Sequence, residues 1–229
     1  SQNFVYADVD GNIGYYGPGR IPIRKQGNGF MPVPGWNDDY AWTGFIPFDD
    51  LPHDFNPASG YIATANNKVV PDAYPYFLAT DWAPRYRAAR IVEMIEAKPK
   101  LSPDDIAAMQ ADQKSLQALE LLPFFLQTPT ETPQEAQALD LLKNWDGVMR
   151  QDSAAAAIYA AWLLHLQPAL LQDDLGKTLG ADYLASFHPT YLLQTLGEAN
   201  SPWCDNVLTP AREDCRATQH VALQEALKD

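Results

Sequence analysis

Apolar residues alternate with polar ones in short runs over the first third of the chain and recur at every third or fourth position over the rest, and the change falls near residue 80. The earlier part is rich in Gly, Pro, Tyr and Trp. Residues 4–8 and 13–16 alternate on either side of Asp10-Gly11-Asn12, a turn signal that predicts a β-hairpin. Residues 17–60 are proline-rich with few long apolar runs, which predicts extended loops covering a sheet, with a short strand near 41–45. Residues 61–65 predict a further strand, with Asn66 at its tip.

Beyond residue 80 the chain is Ala- and Leu-rich and predicts helices. A first helix is expected over 84–96. Ser102-Pro103-Asp104-Asp105 places an N-cap, a first-turn proline and two acids at the positive end of a helix expected to run to about 122, where Pro123 kinks or ends it. Pro133 opens a helix to about Trp145, with Ala136, Leu139, Leu142 and Trp145 spaced by three. Asp152 or Ser153 caps a nearly all-apolar helix over 154–166, and more helix is expected at 190–196 and 210–227. His165, set among leucines, reads as a core histidine. The expected fold class is α+β, with a strand-and-loop segment over 1–80 and a helical domain over 81–229.

At 229 residues and 46% hydrophobic, the chain can bury a sizeable core. Its formal charge of −13 argues against nucleic acid and anionic membranes, which require clustered Lys and Arg. The acids are spread in pairs such as Asp38-Asp39 and Asp173-Asp174, the pattern of a solvated surface. No apolar run approaches the roughly 18 residues that span a bilayer. Asp8-Val9-Asp10-Gly11-Asn12 has the acids of a calcium loop, but the sixth and twelfth positions, where an EF-hand needs Gly and Glu, are Ile13 and Gly19. The four histidines, His53, His165, His188 and His220, have no metal-ligand spacing with one another or with the cysteines. Trp36, Tyr40 and Trp42 fit a carbohydrate-binding surface, although such residues more often serve a core or an interface.

Six motifs in order carry a family resemblance. They are Tyr6-Ala7-Asp8-Val9-Asp10-Gly11-Asn12-Ile13-Gly14-Tyr15, Pro32-Val33-Pro34-Gly35, Trp42-Thr43-Gly44-Phe45-Ile46-Pro47-Phe48, Asn56-Pro57-Ala58-Ser59-Gly60-Tyr61-Ile62-Ala63-Thr64-Ala65-Asn66-Asn67, Tyr86-Arg87-Ala88-Ala89-Arg90-Ile91 and Asn144-Trp145-Asp146-Gly147. In order and spacing they resemble the middle of the β chain of the penicillin acylase family of N-terminal-nucleophile hydrolases. Ser201-Pro202-Trp203-Cys204-Asp205 through Thr209-Pro210-Ala211-Arg212-Glu213 is similar to the branch of acyl-homoserine lactone and aculeacin acylases.

The resemblance implies an αββα sandwich contributing the early strands, and an amidohydrolase acting on a linear amide between an acyl chain and an amine core. It implies that Asn66 donates to the oxyanion and that Arg87 is the active-site arginine, with Arg90 the nearest rival. A lone Asn-Asn pair is otherwise a chain turn. The family's nucleophilic Ser is not visible. Ser1-Gln2-Asn3-Phe4 does not fit its motif, so Ser1 reads as a boundary or tag residue, and the chain reads as a segment that is catalytically incomplete alone. A non-catalytic binding or assembly module with the same fold is the alternative. The implied partners are the rest of the β chain and the α chain of one precursor, together with a small acyl-amide substrate. Self-association through exposed strand edges is also expected. No cofactor is implied for the chemistry, and one structural calcium is implied for the full-length protein; Asp72 lies near the relevant stretch without matching a ligand position. The implied location is periplasmic or secreted. In that setting Cys204 and Cys215 form a disulfide; two reduced buried thiols are the alternative.

Overall fold

The computed structural model describes residues 2–184, 186 and 189–229. Ser1 and His188, both weighed above, lie outside the described residues. The chain divides into two compact units, Ser1–Glu96 and Ala97–Asp229. It is a mixed fold, with short strands in the first unit and helices dominating the second.

In the first unit, β1 (Phe4–Ala7), β2 (Ile13–Tyr16) and β5 (His53–Phe55) form an antiparallel sheet in the order β1-β2-β5. The hairpin pairs Phe4 with Tyr16 and Ala7 with Ile13. Its turn depends on Gly11, at φ 87°, and on Asp8, whose carboxylate accepts from Tyr6 Oη (2.6 Å), Asn12 N (2.8 Å), Asn12 Nδ2 (2.8 Å) and Asp10 N (3.0 Å). The Tyr6 and Asn12 bonds hold that carboxyl down at about 2. A second ribbon pairs β3 (Pro22–Arg24) with β4 (Trp42–Phe45), with an irregularity at Ile23/Arg24. The expected strand over 61–65 does not form. This stretch has no ladder partner among the described residues and is held by side chains instead: Tyr61 Oη donates to Glu96 Oε1 (2.6 Å), and Ala65 N donates to Asn67 Oδ1 (3.0 Å). Helix α1 (Tyr86–Glu96), which composition groups with the later helices, belongs to this unit, tied to the 61–67 segment at both of its ends.

The second unit contains α2 (Pro103–Gln110), α3 (Leu116–Phe125), α4 (Pro133–Lys143), α5 (Ala154–Leu184), α6 (Pro189–Gly197) and α7 (Cys215–Ala226). The single helix expected over 102–122 is two helices. Ser102 caps the first in a reciprocal box with Asp105, and Ser115 starts the second by accepting from Ala118 N (3.1 Å). Pro123 does not end α3; Leu126 N still reaches Leu122 O (3.0 Å), so only the bond that proline cannot donate is lost. Helix α7 begins later than expected because Asp214, not Pro210, caps it.

Phe125, Tyr159, Trp162, Leu121, Leu142, Leu166 and Leu192 fill the core. The Trp162 ring lies tilted against Phe125, 4.4 Å between centroids, and donates its Nε1 to Gln219 O (2.9 Å), so its one polar atom is satisfied. Against expectation, α5 is long and apolar enough to cross a membrane by length and composition, because the helix runs on through Pro168 and past residue 166. Its inward side supplies Trp162, Leu166 and Leu170 to this core, and it is broken at Gly176 (φ 64°). His165 is not a core residue. Its side chain is a third exposed and its Nε2 meets Asp229 Oδ2 at 2.9 Å. Cys204 and Cys215 are bonded, joining a 3-10 turn at Pro202–Cys204 to the start of α7.

The Asn144-Trp145-Asp146-Gly147 motif has a structural reason. Gly147 sits at φ 77°, and a Cβ there would lie 2.7 Å from Leu119 Cγ and Cδ2. Its carbonyl accepts from Ser115 N (2.8 Å), while Trp145 Nε1 donates to Val148 O (3.0 Å). Gly147→Ala is expected to destabilise by about 2 kcal/mol or more through the left-handed backbone alone, read as a fall in the denaturant midpoint; an unchanged midpoint contradicts this packing.

Glu135 is almost fully buried and accepts from Glu131 N (2.6 Å) and Thr132 N (3.2 Å), with His220 Nε2 at 3.1 Å and Gln224 Nε2 at 3.3 Å. The Glu131 backbone bond is the chief reason its carboxyl is lowered from 4.5 to about 2. A folded-state value below the unfolded one stabilises the fold above pH 4.5 and loses that contribution as pH falls toward 2. Denaturation across this window should therefore show a steeper loss of stability for the native chain than for Glu135→Gln; equal slopes would remove Glu135 from the acid response.

Candidate active site

Asn66 sits at φ 62°, a left-handed conformation that asparagine tolerates better than most residues, and this turns its side chain out of the 61–65 segment. The loop leading into α1 and the helix's first turn then grip it. Ala83 N donates to Asn66 O (2.9 Å), and Arg87 Nη2 donates to Asn66 Oδ1 (3.1 Å). The orientation of this carboxamide follows from chemistry, since a guanidinium has donors only and the atom facing it must be the amide oxygen. With both oxygens of Asn66 accepting from the entrance to α1, Nδ2 points away from Arg87. No acceptor among the described residues takes it.

Both side chains line a cleft of about 660 Å³ whose other walls include Asn3, Tyr15, Thr64, Val69, Trp82 and Ile91. A second cavity of about 470 Å³ lies across Tyr15, Pro52, Thr64 and Val69, which border both. Arg90 does not join Asn66; it pairs with Glu93 at 2.9 Å. Arg85 lies over the Tyr86 ring at 5.7 Å. The two sequence-predicted site residues are thus in direct contact, 21 positions apart in the chain. A charged donor fixed on one end of the amide leaves the other end an N–H donor turned away from Arg87, on a residue that lines the cleft. Such a group can stabilise negative charge developing on an oxygen without reorganising.

Sequence reading missed the support behind Asn66. Tyr15 Oη donates to Asn3 Oδ1 (2.5 Å), and Asn3 Nδ2 donates to Thr64 Oγ1 (3.3 Å), two residues before Asn66. These contacts bridge strands and loops far apart in sequence, and no local periodicity signals them.

Asp72 is almost fully exposed and paired with Lys68, and among the described residues no three His, Cys, Asp or Glu side chains converge.

A model of the penicillin amidase family matches residues 1–229. The chain belongs to the penicillin amidase family. Penicillin acylase 2 proenzyme of Pseudomonas sp. (strain SE83) is 42% identical over 166 residues, covering 70% of this chain and 21% of that protein. Acyl-homoserine lactone acylase QuiP of Pseudomonas fluorescens (strain Pf0-1) is 32% identical over 233 residues, covering 93% and 28%. Relatives of both kinds therefore match, in keeping with the motifs of the penicillin amidase family read from the sequence. Among solved structures, a thermostable penicillin G acylase from Alcaligenes faecalis superposes with a TM-score of 0.66 at 25% identity, covering 99% of this chain and 46% of that one. The chain spans roughly a fifth to under a third of the length of these curated relatives.

Proposed function

We propose that this chain is part of an amidohydrolase that cleaves a linear amide between an acyl chain and an amine-bearing core. The nucleophile is an N-terminal Ser supplied from outside these residues, with its own α-amine as base. Asn66 Nδ2 donates to the oxyanion of the tetrahedral intermediate. Arg87 holds Asn66 in the donating orientation.

The observation that carries this reading is the 3.1 Å bond from Arg87 Nη2 to Asn66 Oδ1 at the wall of a cleft, in a chain of the penicillin amidase family. A bare turn asparagine has no need of a guanidinium on its oxygen. The family supports amide hydrolysis, and relatives named as penicillin and acyl-homoserine lactone acylases frame the acyl groups to be tried. The partners in this reading are the other segments of one precursor, and the exposed β1 residues Phe4, Val5 and Tyr6 are surface such segments would cover. The Cys204–Cys215 bond favours an exported enzyme in an oxidising compartment.

The test is Asn66→Ala in the complete enzyme, assayed on phenylacetyl, glutaryl and long-chain acyl amides. Loss of one oxyanion donor is expected to lower kcat by on the order of 10² to 10³. Wild-type turnover in the variant would remove Asn66 from the chemistry, and a complete protein inactive on every acyl amide would favour a non-catalytic module.

A further inference from the structure

The geometry points to Tyr15 as a positioning residue that acts through Asn3 and Thr64 to set where Asn66 meets the oxyanion, an inference that rests on the catalytic reading of Asn66. Residues 61–65 form no ladder, so their placement against the sheet depends on side-chain bonds. At one end Tyr61 Oη is tied to Glu96 Oε1 (2.6 Å). At the other, Asn3 Nδ2 holds Thr64 Oγ1 (3.3 Å), and Asn3 is itself oriented by Tyr15 Oη on its Oδ1 (2.5 Å).

The relay has a defined direction. A carboxamide whose oxygen accepts from Tyr15 turns its NH2 toward Thr64, just as Arg87 on the oxygen of Asn66 turns that NH2 away from itself. Tyr15 is the rigid member: it lies mid-strand in β2, paired with Val5 on one side and Asp54 on the other, and only 9% of its surface is exposed. Asn3 is exposed and Thr64 half-buried, so neither would hold its rotamer as firmly without the phenol. Burial pushes the Tyr15 phenol up from 10.0, in the direction that favours the protonated, donating form. Tyr15 and Thr64 also border both cavities, so a shift in either moves the wall on which Asn66 is mounted.

The test is a double-mutant cycle in the complete enzyme, with Tyr15→Phe and Asn66→Ala alone and together. Removing one neutral hydrogen bond should lower kcat about three- to tenfold and leave KM within about twofold. With Asn66 already replaced by Ala, Tyr15→Phe should change kcat by less than about twofold, since the relay then has nothing to position. Thr64→Val should repeat the Tyr15→Phe pattern, and Thr64→Ser should retain wild-type turnover; these variants carry the test if Tyr15→Phe lowers the yield of folded enzyme. An equal loss in both backgrounds, or none with Asn66 present, overturns the inference. Wild-type turnover of Asn66→Ala alone overturns the catalytic reading beneath it, and is recognised without any change at Tyr15.

Discussion

A guanidinium cannot accept a hydrogen bond, and that one-sidedness gives the site its polarity. Placed 3.1 Å from Asn66, Arg87 decides which end of the carboxamide faces it and therefore which end is left to donate elsewhere. A neutral partner able to accept as well as donate would leave two amide orientations near in energy. The bond from Ala83 N to Asn66 O adds a second constraint from the same short stretch of chain, so the backbone and side chain of Asn66 are fixed together. Chemistry that needs a donor ready before charge develops depends on such prior fixing.

The same logic extends outward from Asn66. The segment that carries it lacks the regular hydrogen bonding of a strand and is steadied at Tyr61 and Thr64 by partners on α1 and near β1. An irregular segment clamped at two points can present a left-handed residue, which an ideal strand cannot. The helical unit follows a different principle. Its shape comes from an apolar core around Phe125 and Trp162, from reciprocal caps at Ser102 and Thr132, and from a left-handed turn at Gly147 that a side chain would strain.

Where a residue's role is set by its neighbours in sequence, it was legible. The hairpin around Gly11, the caps at Ser102 and Ser153 and the proline that opens α4 all rest on local chemistry, and all are found. The meeting of Asn66 with Arg87 was legible for another reason, since each sits in a motif whose register marks it. What could not be read were choices made by distant partners. Residues 61–65 have strand-like composition but no ladder partner among the described residues. Residues 102–122 have continuous helical periodicity, yet Lys114 pairs with Val148 and Ser115 begins a new helix. His165 lies among leucines in sequence, but its partner is Asp229, 64 residues away. The Tyr15–Asn3–Thr64 relay spans separations of 12 and 61 residues, beyond the reach of any local pattern.

The most direct measurement is the structure of the complete protein with a boronic acid bound at the proposed nucleophile, the tetrahedral boronate standing for the intermediate. Asn66 Nδ2 should then lie about 2.7–3.1 Å from a boronate oxygen, with Arg87 still on Asn66 Oδ1. An Asn66 side chain turned away from the boronate, or an Arg87 that leaves it to bind the adduct directly, would contradict the role assigned to this pair.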